Sequence, residues 1–426
     1  MSSSIDSIRC LPGFREFFPS DFARQRYIVS AWREVARRYG FVEINGPTLE
    51  PAALYEKKNS GGEILDQLYR FTDRGGRDVA LRPEMTPTLA RMAIARAKQE
   101  RKPVKWFSVA NFFRAERQQR GRLREFLQLN CDLLGDDSPG ADAEIIALAI
   151  DSLRVFGFGP ADFVVRLSDR RAWLRFLEEH SVPLALAPDF LSIVDKLERE
   201  REEVIEQKLA PFGIRLAQVL DFVQSAGGAA FDPLLAELRA RGMENFIEVD
   251  LRIVRGLAYY TGVVFEVFDR KKELRAIAGG GRYDHLLASL SEGAVDMPAV
   301  GLGIGDVVLG HFIESTPAAC AKRDAVIAVD TACEVYVVLA APEKRAEALM
   351  VLQTLRDTGL RADISLVPAK VSKQFAAAEA LGARFAIVIG AEWPLVKIKD
   401  MSKRTETEVS KEALAEWAAT AHAHRL

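Results

Sequence analysis

Cysteine and histidine are scarce in this chain, four and five among 426 residues, and neither type clusters. Cys10, Cys131, Cys320 and Cys333 show no CxxC spacing, which argues against a thiolate zinc site and a disulfide framework and points to a reducing cytoplasm. No apolar run approaches the roughly eighteen residues that span a membrane. The opening MSSSIDSIRC lacks the pattern of a signal peptide. Nor is one sign of charge in surplus. With 58 basic and 60 acidic side chains the net charge is −2, so any contact with nucleic acid rests on local basic patches. Internal repeats, heptads and low-complexity segments are missing too. What remains is an ordinary globular composition, 49% hydrophobic and 28% charged, with length for roughly three domains.

The most informative stretch is VRGLAYYTGVVFEVF, residues 254–268. Val263, Phe265 and Val267 alternate with Val264, Glu266 and Phe268, the rhythm of a strand. Ahead of it, Arg255 has no acid closer in sequence than Asp250, so its charge is available to an anion. Gly256 lets a bound group approach the backbone, and Tyr259 and Tyr260 face opposite ways if they begin the strand. A cation, an open backbone and a phenol at one strand end suit a small zwitterion joined to a phosphate. A plain strand with a surface arginine is the alternative. AGGGRYD (278–284) and VGLGIG (300–305) follow. Three glycine-punctuated apolar segments within about fifty residues are hard to explain by packing.

Upstream, Pro19-Ser20 followed by DFARQRYIVSAWREVARRYG predicts a helix with Ser20 as N-cap. Tyr27, Ala31, Trp32, Val35 and Tyr39 share one side, and Gly40 stops it. FVEIN (41–45) reads as a strand closed by Gly46-Pro47, serving either a dimer interface or a hairpin. In VALRPEMTPTLARM (79–92) a strand ends at Pro83, Thr86 caps the next helix and Pro87 takes its first position. Glu84, at that corner, either holds an ammonium group or is a solvated turn residue. VKWFSVANFFRAERQQRGRLREFLQLNCDLLG (104–135) reads as two strands joined by a loop of about six or seven residues around Gln118 to Gly121. Arg114, Arg117, Arg120, Arg122 and Arg124 crowd that turn, with Glu116 and Glu125 the only acids nearby. Such density costs stability unless an anion arrives, and guanidinium favours phosphate.

From 141 the pattern is helical, DFVVRLSD is a strand, and 171–243 reads as a helical insertion in which EREREEVIEQK is a solvated face. STPAACAKRDA reads as a linker. Strand CEVYVVLA, a helix from Pro342 to Gly359, strand RADISLVP, a helix from Val371 to Gly382 and strand RFAIVIG then alternate. That order argues for a separate α/β domain of crossover units. VKIKDMSKRTETEVS reads as a hairpin before a last helix from Lys411. Lys397, Lys399, Lys403 and Arg404 form a basic strip fit for an RNA backbone.

Together these stretches resemble the class II histidyl-tRNA synthetases over nearly the whole chain. FRAERQQRGRLREF is similar to the second class-defining motif, RGLAYYTGVVFE to the first histidine-specific signature and AGGGRYDHL to the second. The resemblance implies an α+β fold with a class II synthetase-like antiparallel-sheet catalytic domain over residues 1–320. A helical insertion at about 171–245 interrupts it, and a small α/β anticodon-binding-like domain follows over 326–426. The activity implied is that of a cytoplasmic homodimer, without membrane contact, using ATP and Mg2+ to activate L-histidine and load it onto tRNA(His). Arg114 and Arg255 would flank the α-phosphate, Arg114 also meeting the histidine carboxylate. Glu84, Thr86 and Gln128 would bind the amino group. Asp132 and Tyr260 would grip the imidazole nitrogens, with Tyr259 beside them. Glu116 and Arg122 would contact adenine and the distal phosphates, and Gly301, Gly303 and Gly305 would let backbones pack close to the nucleotide. No metal cage made of protein alone is expected. Three positions depart from the family pattern: Asp132 for a glutamate, Ala258 for an aspartate, and Val308 for the arginine that the third motif places over ATP. Arg117, Arg122, Arg282 or a magnesium ion are the candidate replacements for the last. Two rival readings are a regulatory paralog serving a histidine-biosynthetic phosphoribosyltransferase, and a histidine or RNA sensor that forms no adenylate.

Overall fold

Side chains alternate along the long strands, and that alternation decides which face carries the chemistry. The computed structural model describes residues 8–56, 62–117, 119, 121–225, 231–255, 259–329 and 333–423. Gln118, Arg120, Gly256 and Ala258, singled out above, lie outside the described residues. The chain divides into two units, Met1–Arg323 and Asp324–Leu426.

The first unit holds a mixed sheet of β1 (Val42–Glu43), β5 (Val104–Phe113), β6 (Glu125–Leu134), β7 (Phe163–Asp169), β8 (Ile247–Val249), β9 (Val263–Asp269), β10 (Ala278–Arg282) and β11 (Ala299–Gly305), in the order β1-β5-β6-β11-β10-β9-β7-β8. Pairing is antiparallel from β5 through to β7 and parallel at the two ends. A small sheet of β2 (Leu49–Pro51), β3 (Tyr69–Thr72) and β4 (Asp78–Leu81) accompanies it.

One face of the large sheet builds the main core. Phe107, Leu129, Cys131, Leu133, Phe265, Val267, Leu302 and Ile304 are buried there with the helix Pro139–Arg154. Each large apolar side chain so buried contributes about 1.5–3 kcal/mol. Ser138 caps that helix, its Oγ accepting from the Ala141 amide at 3.3 Å. The other face receives the alternate residues: Gln128, Asn130 and Asp132 on β6, Glu266 on β9, Gly279 and Gly281 on β10, and Gly301, Gly303 and Gly305 on β11. Register sets Gly279 against Gly303 and Gly281 against Gly301, so a trough without side chains runs down the middle of the sheet.

Several local expectations need correction. The first helix spans Pro19–Arg38 with Phe18 at its N-cap, so Ser20 lies within the first turn and caps nothing. The helix after Glu84 spans Thr86–Arg96 with Met85 at its N-cap and no side-chain cap, which leaves the Thr86 hydroxyl for other partners. Tyr259 and Tyr260 precede β9, so strand alternation does not separate them. The arginine-bearing connection between β5 and β6 spans 114–124, longer than the loop expected, with a bridge between Gln119 and Arg122. The segment read as a linker is the helix Pro317–Val329, within which the division between units falls.

Between β7 and β8 stand the helices Arg170–Glu179, Ala187–Val194, Glu202–Leu209, Leu216–Ser225 and Asp232–Ala240. In the second unit, β12 (Val335–Leu339), β13 (Ala362–Ile364), β14 (Phe385–Ile389), β15 (Leu395–Asp400) and β16 (Thr405–Ser410) order as β13-β12-β14-β15-β16. Helices Arg345–Asp357 and Leu414–Ala423 pack on this sheet around Val335, Val337, Leu352, Leu355, Ile387 and Ile389.

Candidate active site

The glycines of the trough make room for the site's own side chains. A Cβ on Gly279 would overlap the Arg255 guanidinium, one on Gly303 the Gln128 amide, and one on Gly301 the Asp132 carboxylate. Gly301 and Gly303 thus leave room for side chains of β6 that fold over them. A Cβ on Gly305 meets nothing within 4 Å.

Over the trough lies a small cavity into which every residue expected at the histidine site converges: Glu84, Thr86, Gln128, Asp132, Tyr259 and Tyr260, with Arg114 and Arg255. The Tyr259 hydroxyl donates to Glu84 Oε2 at 2.8 Å, and the Tyr283 hydroxyl to Asp132 Oδ1 at 2.5 Å. Three buried oxygens accept nothing from the described residues: Glu84 Oε1, Asp132 Oδ2 and Asn130 Oδ1. An unsatisfied buried acceptor costs about 1–3 kcal/mol, and such groups are rare in native folds. Three around one hollow call for a ligand rich in N–H donors.

Charge tells the same story. Burial pushes the carboxyls of Glu84 and Asp132 up to about 7 each. The Tyr259 hydrogen bond, Arg114 and Arg255 work against that rise at Glu84, whereas at Asp132 the Tyr283 hydrogen bond opposes it and Glu84 adds to it. Burial also raises Tyr260 to about 12, which keeps its phenol a donor.

Arg114 and Arg255 arrive from opposite sides. Arg114 leaves the end of β5, its Nε donating to the Pro83 carbonyl at 3.1 Å and its guanidinium 5.1 Å from the Phe126 ring centre. Burial lowers its pKa. Arg255 has φ +48, a left-handed backbone that costs a non-glycine residue energy and is met at functional sites. Its Nη1 lies 3.8 Å from Glu266 Oε1, and its guanidinium 5.8 Å from the Tyr260 ring centre. Burial opposes its charge, but Tyr260 and Glu266 outweigh that and hold it on. Asp250, nearest in sequence, instead meets Arg252 at 2.8 Å and Arg166 at 3.4 Å.

The small cavity opens into a cleft of about 710 Å³, and Arg114, Gln128, Arg255, Gly279 and Gly303 border both. That volume suits a ligand of nucleotide size. The cleft adds Glu116 and Arg122, paired at 3.0 Å, with Gly305 and Val308. Asp195, Glu198 and Arg199 of the insertion form a further part of its wall. Gly301 borders only the small cavity. Among the suggested replacements for a cation at 308, Arg117 borders neither hollow. Arg282 is locked to Asp142 at 2.9 Å and Asp284 at 3.1 Å, so it is a strut between β10 and the helix Pro139–Arg154. Asn130 and Tyr283 were given no role in the sequence reading. Parity would have found Asn130, two places from both Gln128 and Asp132 on one strand. Tyr283 lies within the AGGGRYD stretch singled out above, which was the signal for it. Among the described residues no group of three or more His, Cys, Asp or Glu side chains is placed to hold a metal.

Comparison with known proteins decides the family. The histidyl-tRNA synthetase profile matches residues 13–305, and an anticodon-binding-domain profile matches residues 334–420. The chain belongs to the histidyl-tRNA synthetase family. The histidine–tRNA ligase of Opitutus terrae is 42% identical over 95% of this chain and 97% of its own length. The chloroplastic/mitochondrial ligase of Arabidopsis thaliana is 36% identical over 93% of this chain and 84% of its own. The crystal structure of the histidyl-tRNA synthetase from Nostoc superposes with a TM-score of 0.74 at 25% identity, covering 98% of this chain and 99% of the other. These synthetase relatives run through the anticodon-binding segment, and they do not favour the regulatory-paralog reading.

Proposed function

We infer that this chain is a histidine–tRNA ligase that joins L-histidine to ATP as histidyl-adenylate, releases pyrophosphate, and passes the histidyl group to the 3′ end of tRNA(His). The observation that carries the reading is the set of three unsatisfied buried acceptors beside two opposed arginines in one hollow. Histidine supplies what that hollow wants: ammonium and imidazole N–H donors, and a carboxylate for the guanidinium groups.

In this reading Glu84, Thr86 and Gln128 take the ammonium group, and Tyr259 orients Glu84. Asp132, held by Tyr283, and the Tyr260 phenol take the two ring nitrogens. An apolar amino acid would leave these groups unpaired, which is a strong basis for rejection. Arg114 draws the carboxylate against the α-phosphate, and Arg255 neutralises the far side of that phosphate. The carboxylate oxygen forms the new P–O bond, the bond to the β-phosphate breaks, and pyrophosphate leaves. Developing negative charge is met by groups already in place. Arg122 meets the distal phosphates and Glu116 the adenine. Magnesium would come with the triphosphate, Glu116 and Glu198 being carboxylates on the cleft wall. In the transfer step the terminal ribose hydroxyl attacks the acyl carbon and AMP departs.

Residues 1–320 serve as the catalytic domain and 326–426 as the anticodon-binding domain, in a cytoplasmic homodimer. Four free cysteines fit a reducing compartment, and no helix among the described residues is long and apolar enough to cross a membrane. Histidine-dependent ATP–pyrophosphate exchange tests the reading. The unsubstituted chain should exchange, and Arg255→Ala should lose exchange by about a thousandfold while histidine still binds. Normal exchange in that variant removes Arg255 from the mechanism.

A further inference from the structure

Val308 leaves one side of the cleft without a charge, and a residue from another element occupies the space beside it. Arg275 lies in the connection between β9 and β10 and borders the cleft together with Arg122 and Val308. Gly121, on the arginine-bearing connection, marks the meeting point. A Cβ built on it would lie 3.4 Å from Val308 Cγ2 and 3.8 Å from Arg275 Cδ. The valine methyl and the arginine stem thus converge over one glycine of φ +81. A long side chain at 308 and the one at 275 would compete for the same volume.

Among the described residues no acid pairs with the Arg275 guanidinium. Its Nη2 donates to the Gln119 amide oxygen, a neutral partner. Glu116, whose charge favours the Arg275 cation, already pairs with Arg122 at 3.0 Å. Desolvation and then the Arg122 charge push the Arg275 pKa down, as expected of two cations sharing one carboxylate. Placed this way, two guanidinium groups and one glutamate leave a net positive seat at the cleft wall, the arrangement that a phosphate chain relieves.

We propose that Arg275 grips the distal phosphates of ATP together with Arg122, supplying from the β9–β10 connection the cation that position 308 does not carry. This rests on the reading that ATP fills the cleft. It makes Arg275 a substrate-binding residue for the first half-reaction, engaged before tRNA arrives. It also accounts for why the cleft can do without Arg117 and Arg282, neither of which borders it.

The test uses the full chain and pyrophosphate exchange at saturating histidine, with Arg275→Ala, Val308→Arg and the double variant. Arg275→Ala should raise KM for ATP by about tenfold or more while KM for histidine stays within about twofold. Its melting temperature should not change, since the residue is exposed. Val308→Arg in the Arg275→Ala background should restore most of the lost ATP affinity, because the volume and charge are then supplied from the neighbouring element. Ordinary ATP KM in Arg275→Ala overturns the proposal. So does a loss seen only in tRNA charging, which would assign Arg275 to the nucleic acid, or a loss that Val308→Arg leaves untouched. Absence of exchange in the unsubstituted chain would instead defeat the ligase reading.

Discussion

Glu84 shows how one residue links stability to binding. Its folded carboxyl sits at about 7, raised by burial. The unfolded chain titrates it near the ordinary value, so the fold binds the extra proton. Its contribution to stability is full below about pH 4 and is lost as pH rises toward 7, and Asp132 follows the same sign. Glu84→Gln should therefore raise the melting temperature of the unliganded protein at about pH 8, where the ionised acid weighs on the fold. It should also weaken histidine binding by about 2 kcal/mol, which calorimetry would measure. In the unsubstituted protein, histidine binding should displace a proton below about pH 7. Titrations in two buffers of different ionisation heat would show that release and its reduction in Glu84→Gln, where Asp132 alone still gives up a proton. Single residues were readable from sequence where their chemistry is unambiguous. Arg255 stood out as a charge without a local partner, Arg114 as one of five crowded arginines and Glu84 as a carboxylate at a strand-to-helix corner. Asn130 and Arg275 did not, because an isolated amide or arginine acquires meaning only from what folds against it.

At the scale of elements, the paired glycines of β10 and β11 separate function from folding. Gly279 faces the site, where an added methyl would strike the end of a long, movable Arg255 side chain. Gly280, one place on, faces the core and would meet the Gly301 carbonyl and the Phe265 ring. Gly279→Ala should keep its melting temperature and lose about a hundredfold in exchange. Gly280→Ala should unfold at markedly lower temperature, losing about 3 kcal/mol or more, since backbone cannot step aside. Thermal melts beside exchange assays would separate the two. The glycine runs, the long strands and the helix–strand alternation of the second unit were legible because each is a local pattern. Thr86 and Ser20 were misread as caps because capping depends on where the preceding backbone turns. STPAACAKRDA does hold the division between the two units, but its helix was not legible because Ser, Thr and Pro disguise the helical propensity of its alanines.

At the scale of the molecule, the two units have separate cores, and all residues of the small cavity belong to the first. Ending the chain after Val329 keeps the helix Pro317–Val329 whole. This truncation should exchange pyrophosphate within about threefold of the full chain and charge tRNA far more slowly. Equal charging rates would give the second unit another task. The hydrogen bonds between residues so far apart in sequence, Tyr259 with Glu84 and Tyr283 with Asp132, are fixed by the tertiary fold and have no trace in sequence spacing.

The five helices between β7 and β8 bear on any attempt to shrink this protein. Because those two strands run side by side in the same direction, the chain must travel back along the sheet to join them. A tight turn in place of the bundle would send β8 the other way, and the next few residues would emerge at the opposite end. Arg255 is carried by that continuation. A miniaturised version would thus misplace the Arg255 guanidinium even with every pocket residue retained, so the helical insertion helps to set where that cation is aimed.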